Sequence, residues 1–377
     1  MYKLKEPSRA NLEVFFENAK ESILNRIDDW LNNNVNDVKV KCRSRKLDLT
    51  AKVIPGGLTY KFLTKLNNEE NLKKLMLGKM DFFIQFVTDL KKQAKLCNYP
   101  EEYLFEKLRQ IPYEKFENRG IKLQDTVVAD FDHFNTIVKD IFLFHGYDGE
   151  YSDKTPVFKK DDFVKLLGIR ICPYCGRAFI YSVQRVGDRT MVKPQIDHFL
   201  PKSRYPFFAL SFMNLIPSCQ TCNMIGCKGD NDPIDYYNSP PSFKIQYPYE
   251  FDESKVLFKY VLNGSSYFLD DNFIVTLDYH GDTILENGSN AILKMEEFYK
   301  QHNIEIACMY RRMMILASRA RYYYEVFGID KKWLYPTPMM MLGYKKKKKN
   351  EGKYMLYKLN KDIYLQMMNG EIKKLFK

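Results

Sequence analysis

The chain has no apolar run long enough to cross a bilayer; its longest runs are short and broken by charges. Its first ten residues, MYKLKEPSRA, lack the apolar stretch of a secretory signal. A cytoplasmic protein with no membrane partner is expected. No internal repeat is visible. Histidine is scarce, with five in 377 residues, and His133, His145, His280 and His302 stand alone. An isolated imidazole is more often structural than a ligand. Eight cysteines in a cytosolic chain do not make a disulfide framework. Cys42, Cys97 and Cys308 are single and read as small buried or neutral surface residues.

Positive charge and aromatic residues are plentiful. The formal net charge is +12, which makes an acidic polymer, and nucleic acid first, the natural partner. Apolar residues make up 45% of the chain, with 27 Tyr and 27 Phe, so there is ample core material. A chain of 377 residues is too long for one simple core, and two or three modules are expected.

Residues 10–32 repeat Leu12, Phe16, Ala19, Ile23, Ile27 and Trp30 at helical steps, with Ser8 or Asn11 as the cap. Residues 39–50 read as a basic strand face, and Pro55-Gly56-Gly57 as a turn. Helical stripes return between about 68 and 118, and again from Asp125 to Phe144. The expected first module is α-rich and covers 1–150, with 146–156 as a polar connector. A second module covers 157–235 and a third 236–377. In the third, Val256, Phe258 and Tyr260 alternate up to Asn263-Gly264, a hairpin signal. Helices follow over Asn290 to Phe298 and His302 to Phe327. Arg311, Arg312, Arg319 and Arg321 on the last of these could track a phosphate backbone or face water. Five lysines at 345–349 read as an exposed loop, and 353–377 as two further strands. The fold class is α+β.

The middle module holds the chemistry. Cys172-Pro-Tyr-Cys175 and Cys219-Gln-Thr-Cys222 are two C-x-x-C pairs, 43 residues apart. Each short turn points two thiolates the same way, and four of them suit one tetrahedral structural Zn2+. The span between the pairs is longer than in a compact zinc ribbon, so it must be a unit of its own, tied at its base by the metal. Cys227 fits no paired turn and reads as a non-ligand thiol. Between the pairs, strands are expected at Phe179 to Ser182 and Met191 to Ile196, around Gly187-Asp188. Asp197-His198 follow. Neighbouring strand residues point to opposite faces, so Asp197 can offer a hard oxygen to Mg2+ or Mn2+ while His198 serves as a general base. A basic, aromatic loop with Lys202 and Arg204 leads to a returning strand at Asn214-Leu215-Ile216-Pro217. Asn223 comes directly after the last cysteine of the second pair.

Asp-His, an Asn sixteen residues after the His, and then C-x-x-C-N resemble the HNH endonuclease motif of the ββα-metal superfamily, in its zinc-knuckle branch. The resemblance covers about 60 of 377 residues. It implies that Asp197 and Asn223 hold one divalent ion, that His198 activates water, and that Asn214 pins the loop orienting His198. It also implies cleavage to 5′-phosphate and 3′-hydroxyl ends, with DNA the favoured substrate. Many such motifs carry a lysine three or four residues after the final asparagine. Here Met224-Ile225-Gly226-Cys227 intervenes and Lys228 comes five residues later, which weakens its assignment to phosphate. The wording DHFLPKSRYP…NLIPSCQTCN is also similar to HNH proteins of bacterial antiphage systems, the Septu-type nuclease subunit among them. That resemblance implies a defence complex with an ATPase subunit. Two other readings compete: a zinc-braced nucleic-acid-binding module without catalysis, and a scaffold that binds a partner protein.

Overall fold

The computed structural model describes residues 1–99 except 34 and 43–44, residues 104–105 and 134–143, and residues 159–234 except 182, 185–190 and 193; it further describes 240–330, 337, 341–342, 352–370, 372 and 374. His133, His145, the connector at 146–156, the Gly187-Asp188 turn and the lysine run lie outside these residues. Helices and small antiparallel hairpins make the expected α+β fold. The chain divides into two compact units whose sequences interleave. No described helix is long and apolar enough to cross a membrane.

The first unit comprises Glu6–Leu166 and Ile196–Ile216. It opens with helix α1 (Arg9–Asn33), which buries Phe16, Ala19, Ile23, Ile27 and Trp30 as the periodicity selects, while Leu12 is half-buried and Phe15 joins the buried face. Ser8 Oγ accepts from the Asn11 N–H at 3.3 Å and caps it. Strands β1 (Val35–Cys42) and β2 (Arg45–Lys52) pair in an antiparallel hairpin. Helices α2 (Leu58–Leu66), α3 (Glu69–Leu77), α4 (Met80–Leu96), α5 (Phe134–Leu143) and α6 (Lys160–Leu167) follow. The heart of this unit is aromatic. Phe207, fully buried, has ring centroids of Phe86 at 5.4 Å, Phe62 at 6.0 Å and Phe134 at 6.5 Å around it. Phe208 stacks against Phe83 at 4.4 Å. The loop after Asp197-His198 is thus seated by its own phenylalanines among α2, α4 and α5. Phe207→Ala should cost about 3–5 kcal/mol, read as a lower denaturation midpoint.

The second unit comprises Met1–Lys5, Leu167–Gln195 and Pro217–Lys377. It holds the short pair β3 (Val183–Gln184) and β4 (Met191–Val192). Next come β5 (Gln195–His198) and β6 (Leu215–Ser218), which share a two-stranded sheet. Helix α7 (Gln220–Asn223) follows. Strands β7 (Leu257–Leu262) and β8 (Phe273–Asp278) pair in antiparallel register. Helices α8 (Thr283–Ile292), α9 (Met295–Lys300), α10 (Asn303–Phe327) and α11 (Tyr357–Asn369) complete it.

Three expectations meet a different structure here. Asn263-Gly264 is not a two-residue turn. Asn263 N–H donates to Asn272 O at 2.7 Å, so a longer loop closes the hairpin. Arg311 of α10 holds that loop through Tyr267 O, at 3.1 Å, and through the Asp270 carboxylate. Arg311 is therefore a structural clasp, and Arg321 pairs with Glu325 at 2.7 Å on the same helix. The described residues of 353–377 do not add two strands: Tyr357–Asn369 is helix α11, burying Leu359, Ile363 and Met367 at four-residue steps. Its polar residues explain the choice. Asp362 Oδ2 accepts from Phe258 N–H at 3.2 Å, and Gln366 exchanges bonds of 3.0 and 2.9 Å with the backbone of Tyr260. One helical turn of four residues rises about 6 Å, and two strand residues about 6.6 Å, so i and i+4 on a helix can serve alternate residues of a strand edge. Lys358, buried with Asp362 at 2.8 Å, balances the carboxylate.

Candidate metal centre and active site

The two C-x-x-C turns converge. The Sγ atoms of Cys172, Cys175, Cys219 and Cys222 all lie within 4.8 Å of one another, and all four side chains are buried. Cys175 and Cys219 are 3.9 Å apart. A tetrahedron of sulfurs at about 2.3 Å from Zn2+ has edges of about 3.8 Å. The donor set fits a metal such as zinc. Cys227 is buried nearby but is not a member of the cluster, and burial pushes its thiol up.

Local backbone geometry builds each turn. Gly176 N–H donates to Cys172 O at 2.8 Å, and Cys172 N–H to Ala178 O at 2.9 Å. Gly176 sits at φ +64, and a Cβ there would lie 2.3 Å from the Met1 nitrogen, so glycine is required on two counts. Arg177 N–H points at Cys175 Sγ at 3.5 Å. Its guanidinium lies 4.3 Å from the Phe298 ring centroid. Tyr299 OH donates to Cys175 O, and Tyr2 OH to Ile171 O. In the second turn Asn223 N–H donates to Cys219 O at 3.1 Å, and Lys228 N–H to Cys222 O at 3.1 Å. Hydrogen bonding from Cys172, Cys219 and Cys222 holds the Cys175 thiol well below its ordinary range, while burial pushes Cys172 well up. A cation bound among the sulfurs displaces these shared protons.

Asp197 and His198 end β5, and both are buried. His198 Nε2 lies 3.1 Å from Ala209 O. A carbonyl can only accept, so Nε2 carries the proton and a neutral ring keeps its lone pair on Nδ1. Asn214 organises the loop that supplies this carbonyl. It is fully buried. Its Oδ1 accepts from Leu200 N–H at 2.7 Å, and its Nδ2 donates to Leu200 O at 3.1 Å and Phe208 O at 3.0 Å. Phe199 N–H donates to Asn214 O at 2.8 Å. One amide thus fastens both ends of the loop, and Ala209 follows Phe208 directly. Asn214→Ala leaves three buried backbone groups without their partner and should cost about 2–4 kcal/mol in chemical denaturation.

Asn223 Nδ2 donates to Gln195 Oε1 at 2.9 Å, which orients the amide. Lys202 is exposed on the turn after Pro201, and Arg204 is half-buried there. Lys228 is fully buried, so its ammonium does not face an approaching phosphate in this conformation. Ala209, Gln195, Tyr299 and Tyr2 were not legible as site residues. Two of them act through a backbone oxygen or a single amide, and the other two through distant phenols that bond the metal turn.

Two curated proteins share short segments with the chain. Over 64 residues it is 42% identical to "Protein ea31" of Escherichia phage lambda, 17% of this chain and 17% of that protein. Over 38 residues it is 47% identical to the Septu protein PtuB of Bacillus thuringiensis, 10% of this chain and 14% of that protein. Similarity to a Septu component is thus a finding, confined to a short segment. The chain spans less than a fifth of the length of either relative. No family model and no solved structure matches it.

Proposed function

We propose that the protein is a metal-dependent HNH endonuclease, acting on nucleic acid with DNA favoured, in bacterial antiphage defence alongside an ATPase partner. The observation that carries this reading is the fixed imidazole of His198. Its Nε2 is engaged by Ala209 O at 3.1 Å, within a loop that Asn214 clamps at both ends. An imidazole whose orientation is fixed through Nε2, next to the Asp197 carboxylate in sequence, is arranged as a base. The similarity to Septu protein PtuB supports the defence setting.

In this reading His198 Nδ1 takes a proton from a water molecule. The water oxygen forms a bond to phosphorus as the bond to the 3′-oxygen breaks; the 3′-alkoxide takes a proton from solvent, leaving 5′-phosphate and 3′-hydroxyl ends. Asp197 and Asn223 are the residues that would hold a Mg2+ or Mn2+ ion, which would supply positive charge against the charge that builds on the phosphate oxygens. Lys202 and Arg204 contribute positive charge on the loop that follows. The four cysteines serve structure: they anchor the turn on which Asn223 sits. Nicking of supercoiled plasmid with Mg2+ or Mn2+, by the full chain alone and with an ATPase from the same defence system, tests the reading. Cleavage lost in Asp197→Ala and in Asn223→Ala is the expected result. Duplex binding without any cleavage under either condition would instead mark a binding module.

A further inference from the structure

The sequence inserts Met224-Ile225-Gly226-Cys227 between the last motif asparagine and Lys228. The structure folds this insertion into a pinned tip. Cys227 N–H donates to Met224 O at 3.1 Å, closing a tight turn. Gly226 sits at φ +98, a backbone conformation that side chains with a Cβ rarely adopt. Lys228 N–H bonds Cys222 O at 3.1 Å on one side, and Asn231 Nδ2 bonds Cys227 O at 2.8 Å on the other. Cys227 and Lys228 are buried beneath. A Cβ at Gly229 would sit 3.1 Å from Met224 O, so the foot of the tip is packed close.

The top of the tip is apolar and bare. Ile225 is 93% exposed and Met224 51%. Just after the first metal turn, Phe179 and Tyr181 are also exposed, with ring centroids 6.0 Å apart. One exposed aliphatic residue needs no explanation. A pinned turn that directs two apolar side chains to solvent, directly after Asn223, does.

We propose that the Met224–Ile225 tip is a nucleic-acid contact, with Ile225 packing against the sugar and base of the nucleotide next to the phosphate at Asn223. This rests on the nuclease reading, which brings the phosphate to Asn223. Only Met224 separates Asn223 from Ile225, so their Cα atoms are at most about 7 Å apart. That is about two rises of 3.4 Å along a duplex. A polynucleotide reaching Asn223 therefore passes the tip. Its sugars and base edges present apolar surface there, and an aliphatic side chain on a rigid turn is the chemistry that packs into a base step. The deeply buried Lys228 leaves this position of the insertion without a phosphate-directed charge, and the tip provides a van der Waals contact in its place.

The test uses the full-length chain and a duplex oligonucleotide with a mapped cleavage site. Steady-state cleavage is compared for wild type, Ile225→Ala and Ile225→Leu, together with melting midpoint and bound metal. The expected result is a KM raised about tenfold in Ile225→Ala at unchanged kcat, as loss of uniform binding predicts. Ile225→Leu should restore it, and melting midpoint and metal content should match wild type throughout. Equal KM in all three proteins overturns the contact while leaving the nuclease reading intact, and points to a protein partner for the tip. A KM change that comes with a lowered midpoint or lost metal overturns it as well, since the residue is then structural. If wild type does not cut, the nuclease reading fails first and the contact fails with it.

Discussion

Replacing His198 by alanine should lower phosphodiester cleavage by at least about a hundredfold, the least that general-base catalysis usually contributes. The fold should survive the change. His198 is buried at the end of β5, where its Nε2 bonds Ala209 O at 3.1 Å, and truncation removes that bond without inserting a charge. A loss of about 1–3 kcal/mol in stability is expected for the orphaned carbonyl, less than the stability of a typical domain. Nicking assays at saturating Mg2+ or Mn2+, run beside a denaturation curve, separate the two effects. Full activity in a correctly folded His198→Ala protein would end the nuclease reading, because no other described residue of the motif offers a base at that position.

Removing the metal from the cysteine cluster should be the most damaging change to the second unit. Cys175→Ser is expected to drop bound zinc from about one equivalent to near none. Structural zinc sites return large folding energies, about 10–16 kcal/mol apparent in isolated zinc-finger peptides. Losing even 5 kcal/mol of that in a unit of this size lowers a melting midpoint by about 10–20 °C. The reason lies in the burial of all four thiols. Without a cation, four sulfurs share a space suited to their anions, and burial pushes Cys172 toward its protonated form while its neighbours hold Cys175 toward the thiolate. Cys227→Ser is the control: outside the cluster, it should keep the metal. One full equivalent of zinc in Cys175→Ser would refute the four-thiolate centre.

The two predictions draw on different depths of information. The cysteine cluster was legible in the chain because C-x-x-C is local chemistry: a two-residue gap points two sulfurs one way wherever it occurs. Helix α1 was legible for a similar reason, since Phe16, Ala19, Ile23, Ile27 and Trp30 mark one face. Helix α11 was not. Its short apolar runs fit period two and period four about equally. What decides for a helix is the edge of β7, where Asp362 and Gln366 meet Phe258 and Tyr260. Those partners lie more than a hundred residues away in sequence. The loop after Asn263-Gly264 has the same cause, a clasp by Arg311 from another element.

By itself the sequence determined which atoms are available: four sulfurs in two pairs, one imidazole beside a carboxylate, two asparagines at set intervals, and a positive balance suited to an acidic polymer. Only the tertiary structure decided how some of them are held. The acceptor for His198 is the carbonyl of Ala209, and every residue owns a carbonyl, so no composition could single it out. Lys228 lies buried and Ile225 bare for the same physical reason. A backbone turn is oriented by its own hydrogen bonds, at Cys222 O and Met224 O, and not by the polarity of the side chains it carries.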